Sequence, residues 1–418
     1  MPEDLKIDRR TLLKTAVSAG AGLAAAVMAG GISKDVVVLE KTQDVGGNTR
    51  LADAFNAVDP AVQKPLGIED SPELHARQML ETGRWCADPK LVETVATGAP
   101  RALAWLKELG VSIRTGTKVL RVIRNGLEGP VLGVEAERMN GRRLFIRARR
   151  GVVVATGGFG ANAELVGRFA PRLGHLRSTN LPGTTGDLIA PLEDIGAAAV
   201  GMDFFQLLPG SAEDGRFIGA VSPVERMIFV NRAGERFIAE DSPSSKLSAA
   251  VLAQPGGIAF PILDANGYSA MRTLSRAMFD RALMRGDAFE ANSIPELASL
   301  LQIPAEALVA TVDAYNEAVE TGHDPVGRRA AVLMHRIARR PFYGAKVTMC
   351  VNGTLGGIAI TPRAEVLDRH GRVIPRLYAA GEVTGGVHGA NYMGGNALSD
   401  VFTFGRIAGE NAVQEPFA

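Results

Sequence analysis

The chain has 418 residues, with 46 Lys and Arg against 45 Asp and Glu, so its formal net charge is only +1. This length predicts one large domain or two ordinary ones. The balanced charge disfavours nucleic acid and acidic membrane surfaces as partners. Cys86 and Cys350 lack any metal-binding spacing. Their separation argues against zinc ribbons, iron–sulfur clusters and disulfide scaffolds, and it predicts two buried thiols and no metal site.

The first 32 residues support two interpretations. Arg9 and Arg10 precede an apolar, charge-free stretch from Thr15 to Ile32, which resembles a twin-arginine export signal and predicts a periplasmic location, with a cytoplasmic one as the alternative. The same residues also fit a dinucleotide-binding βαβ unit whose helix starts near Ala21 and Gly22. The two interpretations exclude each other, because cleavage of a signal would remove the turn that holds a pyrophosphate.

A buried strand from Asp35 to Glu40 is expected next, followed by a glycine-rich turn. Glu40 lies near the spacing from Gly22 at which an acidic side chain accepts hydrogen bonds from ribose hydroxyls. Gly47, Asn48 and Thr49 in the turn offer amide and hydroxyl groups suited to ribose or phosphate oxygens. This segment therefore predicts part of a nucleotide site.

Residues 71–109 have helical periodicity, and we expect their apolar faces, including Trp85 and Trp105, to pack in the core. Short β-branched runs at 119–123, 131–135 and 144–148 predict an antiparallel meander. The arginines between 142 and 150 are best explained as its solvated face.

Two further strands run directly into glycine turns. The apolar run 151–155 leads to Thr156 and Gly157, and the run 377–380 leads to Gly381 and Glu382. In a doubly wound sheet such turns bring the backbone against a ligand at the carboxyl ends of the strands. A tight turn ending at Asp187 lies between them. Together with the Glu40 strand, these strand ends predict one extended nucleotide.

The last glycine-rich run, residues 385–398, contains His388, Tyr392 and Asn396 and leads into an apolar helix. The amides at that helix N-terminus predict a site that stabilises an anion or polarises an electrophile. Residues 203–352 have a different character and are expected to form an inserted domain. We thus expect a signal-like segment at 1–32, a nucleotide-binding domain at 12–202 and 353–418, and an inserted domain at 203–352.

These motifs, in this order, resemble the flavoproteins of the fumarate reductase and succinate dehydrogenase class over about residues 20–415, especially soluble flavocytochrome-c-type fumarate reductases and 3-ketosteroid dehydrogenases. The most specific matches are Val38-Leu39-Glu40-Lys41, Ala155-Thr156-Gly157-Gly158-Phe159, Thr185-Gly186-Asp187 and Gly381-Glu382-Val383-Thr384-Gly385-Gly386-Val387-His388-Gly389. The resemblance implies an α/β fold, a Rossmann-like FAD-binding domain with an inserted α+β capping domain. It also implies hydride transfer between flavin and a CH–CH bond beside a carbonyl.

The resemblance further implies which residues contact FAD. They are Ala21, Gly22, Glu40, Lys41, Gly47, Asn48, Thr49, Val119, Thr156, Gly157, Asp187, Gly381, Glu382, Asn396, Ala397 and Leu398. The histidine that tethers FAD in the membrane-bound complexes has no counterpart near Asn48, which implies noncovalent FAD. No haem motif is present, so we expect a separate electron donor or acceptor. No segment predicts an integral membrane protein.

The departures from the family concern the substrate. Ser244 occupies the position of the arginine that delivers a proton to fumarate, and Tyr392 that of the arginine that clamps it. Leu208 and Asn352 occupy the positions of the two substrate histidines. Without a guanidinium partner, a buried dicarboxylate would bear uncompensated charge at a cost on the order of several kcal/mol. We therefore expect a small molecule with a low-charge apolar body, such as an enone, a ketosteroid or an aromatic acrylate, and not fumarate.

Tyrosine hydroxyls and a glycine amide polarise the ketone in ketosteroid dehydrogenases. This implies Tyr392 as acid or base, with Tyr343 and His388 as further catalytic candidates. The alternative for Tyr392 is simple packing against the flavin edge. The chain also lacks a segment that the family has between Gly110 and Val111. The competing hypothesis is therefore a shortened flavoprotein-like chain that binds FAD weakly or not at all and has no catalysis.

Overall fold

The computed structural model describes residues 5–6, 21–32, 36, 38–39, 41, 48, 58, 63, 69–105, 112–114, 117–219, 224–391 and 394–416. Arg9, Arg10, Glu40, Gly47, Thr49 and Tyr392 lie outside these residues. The chain divides into two compact units. The first unit comprises Met1–Gly174, Asn180–Phe205 and Gly353–Ala418, and the second comprises His175–Thr179 and Gln206–Asn352.

The first part of the chain contains strands and helices of the first unit. Its elements are β1 (Leu5–Lys6), α1 (Ala21–Ile32), β2 (Val38–Leu39), α2 (Pro72–Thr82), α3 (Pro89–Trp105), β3 (Ser112–Arg114), β4 (Thr117–Arg124), β5 (Val131–Arg138), β6 (Arg143–Arg147), β7 (Val152–Val154), α4 (Ala163–Phe169), α5 (Ile189–Asp194) and β8 (Ala199–Val200). Helix α2 begins at a serine cap, where Ser71 Oγ accepts from the Leu74 N–H at 3.1 Å.

The middle of the chain contains a further set of strands and helices. Its elements are β9 (Phe205–Ser211), β10 (Met227–Val230), α6 (Ser244–Leu252), β11 (Ile258–Asp264), α7 (Ala265–Ser269), α8 (Thr273–Arg285), β12 (Ala288–Ala291), α9 (Ile294–Leu301), α10 (Ala305–Thr321), β13 (Phe342–Ala345) and β14 (Val347–Thr354). The sheet order is β12-β13-β11-β14-β9, and β10 also pairs with β11.

The remaining elements return to the first unit. They are β15 (Gly357–Ala359), β16 (Glu365–Leu367), β17 (Val373–Ala379), β18 (Thr384–Gly385) and α11 (Asn396–Gln414). The first unit contains the sheets β1-β3-β2, β18-β15-β8, β16-β17-β7 and the antiparallel meander β4-β5-β6.

Helices α1 and α11 are packed closely because glycines face alanines where they meet. A Cβ on Gly405 would lie 2.7 Å from Ala24 Cβ, and a Cβ on Gly409 would lie 2.2 Å from the Ala25 carbonyl oxygen. Real Cβ atoms do not approach so closely, so both positions need glycine. The apolar, alanine-rich segment after Ala21 is therefore a buried helix of the first unit.

The core of the second unit covers both faces of its central strand. In β11, Phe260 and Ile262 belong to a cluster with α9 and α10, whereas Ala259 and Leu263 belong to a second cluster. Alternate residues of a strand point to opposite faces, so a continuous apolar run fills two layers.

Beside this sheet lies a buried ionic network. Arg236 contacts Glu240 at 2.7 Å and Asp324 at 2.8 Å, and Arg328 contacts Glu240 at 2.6 Å. These side chains are at most 5% exposed. The two arginines and two carboxylates cancel in charge, which is the condition for burying them together. Burial alone would lower the pKa of Arg236, but the two carboxylates raise it above its ordinary value.

Two expectations for the segment after α2 are wrong. Trp85 is 66% exposed and Cys86 is also exposed, whereas Cys350 is buried. Arg84 and Trp85 have φ values of 55° and 57°. This left-handed turn ends the helical periodicity and directs the residues to the surface. Burial raises the pKa of the Cys350 thiol to about 11.

Among the helices that the structure describes, none has the length and apolar character of a membrane span.

Candidate functional site: a dinucleotide cradle in the first unit

Two parallel strands bring the predicted glycine turns to one edge of a sheet. Strand β7 pairs with β17 through Val152 and Leu377 and through Val154 and Ala379. The turns after these strands contain Gly157 and Gly381, with φ values of 73° and 77° that favour glycine. Because the strands are parallel, both turns lie at their carboxyl ends, where open α/β sheets bind ligands.

The Gly381 turn packs against the first residue of α1. A Cβ on Gly381 would lie 3.0 Å from Ala21 Cβ. At Gly157, by contrast, an added Cβ would meet no atom within 4 Å, and the neighbouring Thr156 is exposed. The backbone at Gly157 therefore borders open space, which suits close approach of a ligand.

Glu382 is held at this edge by amide and hydroxyl donors. Its Oε1 accepts from the Thr354 N–H at 3.0 Å, and its Oε2 accepts from Asn48 Nδ2 at 3.3 Å. Asn48 also donates to Asn180 Oδ1. Desolvation raises the pKa of Glu382, and these hydrogen bonds oppose the rise without cancelling it.

A second polar cluster surrounds Asp187. Lys41 Nζ lies 2.7 Å from Asp187 Oδ2, and Lys118 Nζ lies 3.2 Å from Oδ1. Thr185 Oγ1 donates to Oδ1 at 2.9 Å. Partial burial would raise the pKa of Asp187, but Lys41, the Thr185 hydroxyl and Lys118 together outweigh burial and lower that pKa. Val119, the next residue of β4 after Lys118, is half-buried.

The N-terminus of α11 is fixed by buried polar side chains. Gly395 precedes it with a φ of 91°, and His75 Nε2 donates to Asn396 Oδ1 at 3.0 Å. One turn further, His388 Nε2 donates to Asp400 Oδ2 at 3.1 Å. Ala397 and Leu398 follow in the first turn of this helix, whose N–H groups favour an electron-rich partner.

The groups at this edge of the first unit match the parts of FAD. The open backbone at Gly157, the glycine at 381 and the first turn of α11 provide N–H groups and space for phosphates and a ring system. Glu382 and Asn48 provide polar groups beside them. The described part of the cradle therefore fits a dinucleotide.

The structure brings several predicted residues together in three pairs. Ala21 packs against Gly381, Asn48 donates a hydrogen bond to Glu382, and Lys41 forms a salt bridge with Asp187. Gly22 lies in α1. His75, Asn180, Lys118 and the part played by Thr354 were not predictable from the sequence. These partners lie far along the chain from the residues they contact, so no local pattern could have revealed them.

The second unit places Tyr343 in its core, which argues against the predicted catalytic role. The Tyr343 ring stacks on Tyr268 with centroids 4.6 Å apart and meets Phe279 edge-on at 6.1 Å. Burial and the neighbouring Glu290 charge raise the pKa of Tyr343 to about 12. A phenol with such a pKa is a weaker proton donor than an ordinary tyrosine. The Tyr343 ring is thus part of the internal packing of the second unit.

Comparison with known proteins agrees with this geometry. The family model described as "FAD binding domain" matches residues 18–126 and 111–398. A cytochrome-type fumarate reductase of Shewanella frigidimarina is 34% identical over 441 residues, covering 95% of this chain and 76% of that protein. A urocanate reductase of Eggerthella lenta is 32% identical over 460 residues, covering 98% of this chain and 75% of that protein.

Solved structures give the same assignment. The open conformation of a flavocytochrome c3 fumarate reductase has a TM-score of 0.76 at 29% identity, covering 95% of this chain and 77% of that one. A 3-ketosteroid-Δ4-(5α)-dehydrogenase of Rhodococcus jostii RHA1 has a TM-score of 0.70 at 25% identity, covering 95% of both chains. The fold is therefore an FAD-binding domain with a capping domain. The chain belongs to the family of FAD-binding domains that includes the flavocytochrome fumarate reductases, and it is a flavin-dependent oxidoreductase.

Proposed function

We propose that this chain binds FAD noncovalently and transfers hydride between the flavin and a CH–CH bond beside a carbonyl, in a small molecule with a low-charge apolar body. The observation that carries the substrate class is a cavity of about 300 Å³ within the second unit. Its apolar lining includes Leu207, Leu208, Phe229 and Met349. Such a lining favours a hydrophobic body.

The charges at this cavity are already paired. Arg329 Nε lies 2.7 Å from Asp241 Oδ2, and Glu240 belongs to the ionic network with Arg236 and Arg328. Ser244 contributes a hydroxyl to the lining. Among the lining residues that the structure describes, each charged side chain has an opposite charge as its partner, so a dicarboxylate would gain little there.

The positions of the family's substrate histidines support the same class. Leu208 lines the cavity. Asn352 donates to Gln206 Oε1 at 3.0 Å and accepts from Thr179 Oγ1 at 2.8 Å. Neither residue offers an ionisable group to a carboxylate. The exclusion of fumarate stays a prediction, because relatives at similar identity include fumarate reductases.

When bound, FAD would supply a two-electron carrier that exchanges hydride with the substrate. In the first unit, the turns at Gly157 and Gly381 would admit it, and Glu382 and Asn48 would hydrogen-bond to its polar groups. Lys41 keeps Asp187 ionised and oriented. The N–H groups at the start of α11 would stabilise negative charge on the ring.

For the proton, we propose Tyr392 as acid or base. His388 acts through another residue, because its Nε2 is bound to Asp400 and its side chain is only 10% exposed. It is a positioning residue for the segment that leads into α11. A separate protein or small carrier would exchange electrons with the flavin.

We also propose export by the twin-arginine pathway without cleavage of the signal, supported by Arg9 and Arg10 ahead of an apolar stretch. The stretch would be retained because its residues 21–32 form α1, which packs against α11. N-terminal sequencing of the protein from periplasmic and cytosolic fractions tests it. An intact Met1 found only in the cytosolic fraction would contradict export.

Turnover with a reduced dye tests the substrate class. The flavin-loaded chain is expected to reduce a cyclic enone or an aromatic acrylate faster than fumarate at equal concentration. Ser244→Arg adds a cation to the cavity lining. It should raise the ratio of kcat/KM for fumarate to kcat/KM for the enone or acrylate. Ser245→Arg, one residue further and outside the lining, is the matched control and should leave the ratio unchanged. A wild-type chain that prefers fumarate would refute the proposed class.

A further inference from the structure

The chain has a net charge near zero, but one of its segments is strongly basic. Residues 117–150 contain nine Lys and Arg residues and only three Glu residues, a net charge of +6, so the other residues together carry −5. The six arginines from Arg138 to Arg150 have no acidic residue between them. This segment forms the meander of β4, β5 and β6. Such an asymmetry creates a local field that the total charge does not reveal.

Four large apolar side chains are exposed within the same segment, namely Leu127, Leu132, Met139 and Phe145, and the last two are the most exposed. Met139, in the turn between β5 and β6, is 76% exposed, and Phe145 in β6 is 70% exposed. Strand β6 is at the edge of the meander, and its alternation places Arg143, Phe145 and Arg147 on one face. Arginines therefore flank an exposed aromatic ring.

The acidic side chains of this face are neutralised within it. Glu135, opposite Phe145 in the register, lies 2.6 Å from Arg121 and 2.7 Å from Arg143. Glu137 lies 3.7 Å from Arg143. The face thus presents a positive edge with protruding apolar groups.

We propose that the β5–β6 hairpin, residues 131–147, binds the surface of an anionic phospholipid membrane as a peripheral contact. Anionic headgroups over an apolar interior complement both features, because guanidiniums bind the headgroup phosphates while Met139 and Phe145 enter the interfacial layer. A nucleic acid would use the arginines but would leave the exposed Met139 in water. This contact is independent of the substrate proposed above.

Co-sedimentation of the full-length, flavin-loaded chain with phosphatidylcholine vesicles, with and without phosphatidylglycerol, tests the proposal. We expect binding only with phosphatidylglycerol and a decrease with added salt. Arg142→Gln with Arg147→Gln should lower the partition coefficient roughly 30-fold, the effect of removing two interfacial charges. The control carries Arg232→Gln and Arg281→Gln, two exposed arginines of the second unit, and should bind like the wild type.

Phe145→Ser separates the apolar contribution from the charge. It should weaken vesicle binding while leaving flavin content and dye-linked turnover unchanged, which also shows that the variant is folded. Equal binding to neutral and anionic vesicles would overturn the proposal. The proposal would also be overturned if the hairpin variant and the control variant lost vesicle binding equally. Binding to DNA without binding to vesicles would overturn it as well.

Discussion

Replacing Arg328 with methionine tests how strongly the second unit depends on its ionic network. Arg328 Nη2 lies 2.6 Å from both Glu240 Oε2 and the Met227 carbonyl oxygen, and Nη1 lies 2.8 Å from the Tyr315 hydroxyl. The Arg328 side chain is fully buried. Methionine preserves much of the volume but removes the charge, leaving two carboxylates with one arginine.

Removing one partner of a buried ion pair costs about 3–5 kcal/mol. Because Arg236 still contacts Glu240, we expect the lower end, about 3 kcal/mol. For a unit of this size that corresponds to a fall in Tm of roughly 6–12 °C. Arg336→Met breaks an exposed pair with Glu320 and should cost less than about 1 kcal/mol.

Calorimetry and urea unfolding measure both variants. Adding Glu240→Gln to Arg328→Met restores charge balance, since Arg236 and Asp324 then remain as a neutral pair. We expect this double variant to be more stable than the single one. Equal destabilisation by Arg328→Met and Arg336→Met, or no recovery in the double variant, would refute the reasoning from buried charge.

Three further predictions concern the first unit. Gly158→Ala would place a Cβ 2.1 Å from Thr354 Oγ1 and 2.6 Å from Glu382 Oε1, so we expect roughly tenfold weaker FAD binding in a titration. Gly353→Ala, whose Cβ would lie 3.4 Å from Glu382, should bind FAD normally, and equal affinities would refute the steric argument. Tyr392→Phe should keep its flavin spectrum but lose dye-linked turnover, and unchanged turnover would exclude an acid or base role. Burial would raise the pKa of Asp368, but N–H donors from His370 and Arg372 and the Arg372 guanidinium lower it to about 2. Since the folded pKa lies below the unfolded value of about 3.9, the stabilisation is present above that value and is lost as the pH falls through about 2. The Tm difference between wild type and Asp368→Asn should therefore narrow over this range, and a difference independent of pH would contradict the assignment.

Local sequence patterns were sufficient for the fold class and for the glycine turns. An apolar run that ends in glycine, as before Gly157 and Gly381, predicts a strand and its carboxyl-end turn because both properties lie within ten residues. The meander was predictable for the same reason: its β-branched runs alternate with turns. Comparison with the family confirms the FAD-binding and capping domains.

Exposure was harder to predict than secondary structure. Trp85 and Cys86 are apolar by type, but the left-handed turn at Arg84 and Trp85 places them at the surface. Tyr343 has the chemistry of a proton donor, yet Tyr268 and Phe279 enclose it. In each case neighbours from other elements decide what a side chain can reach.

By itself, the sequence determined the order of strands, glycine turns and helices and the resemblance to flavoproteins. It also predicts that Ser244 and Tyr392 stand where the family has its proton-delivering and fumarate-clamping arginines. Only the tertiary structure decided that Asn48 and Thr354 hold Glu382, that Lys41 holds Asp187, and that the charges at the cavity are paired. Dihedral preferences and periodicity act between neighbours in the chain. Ion pairs, burial and pKa shifts depend on groups that folding brings together across hundreds of residues.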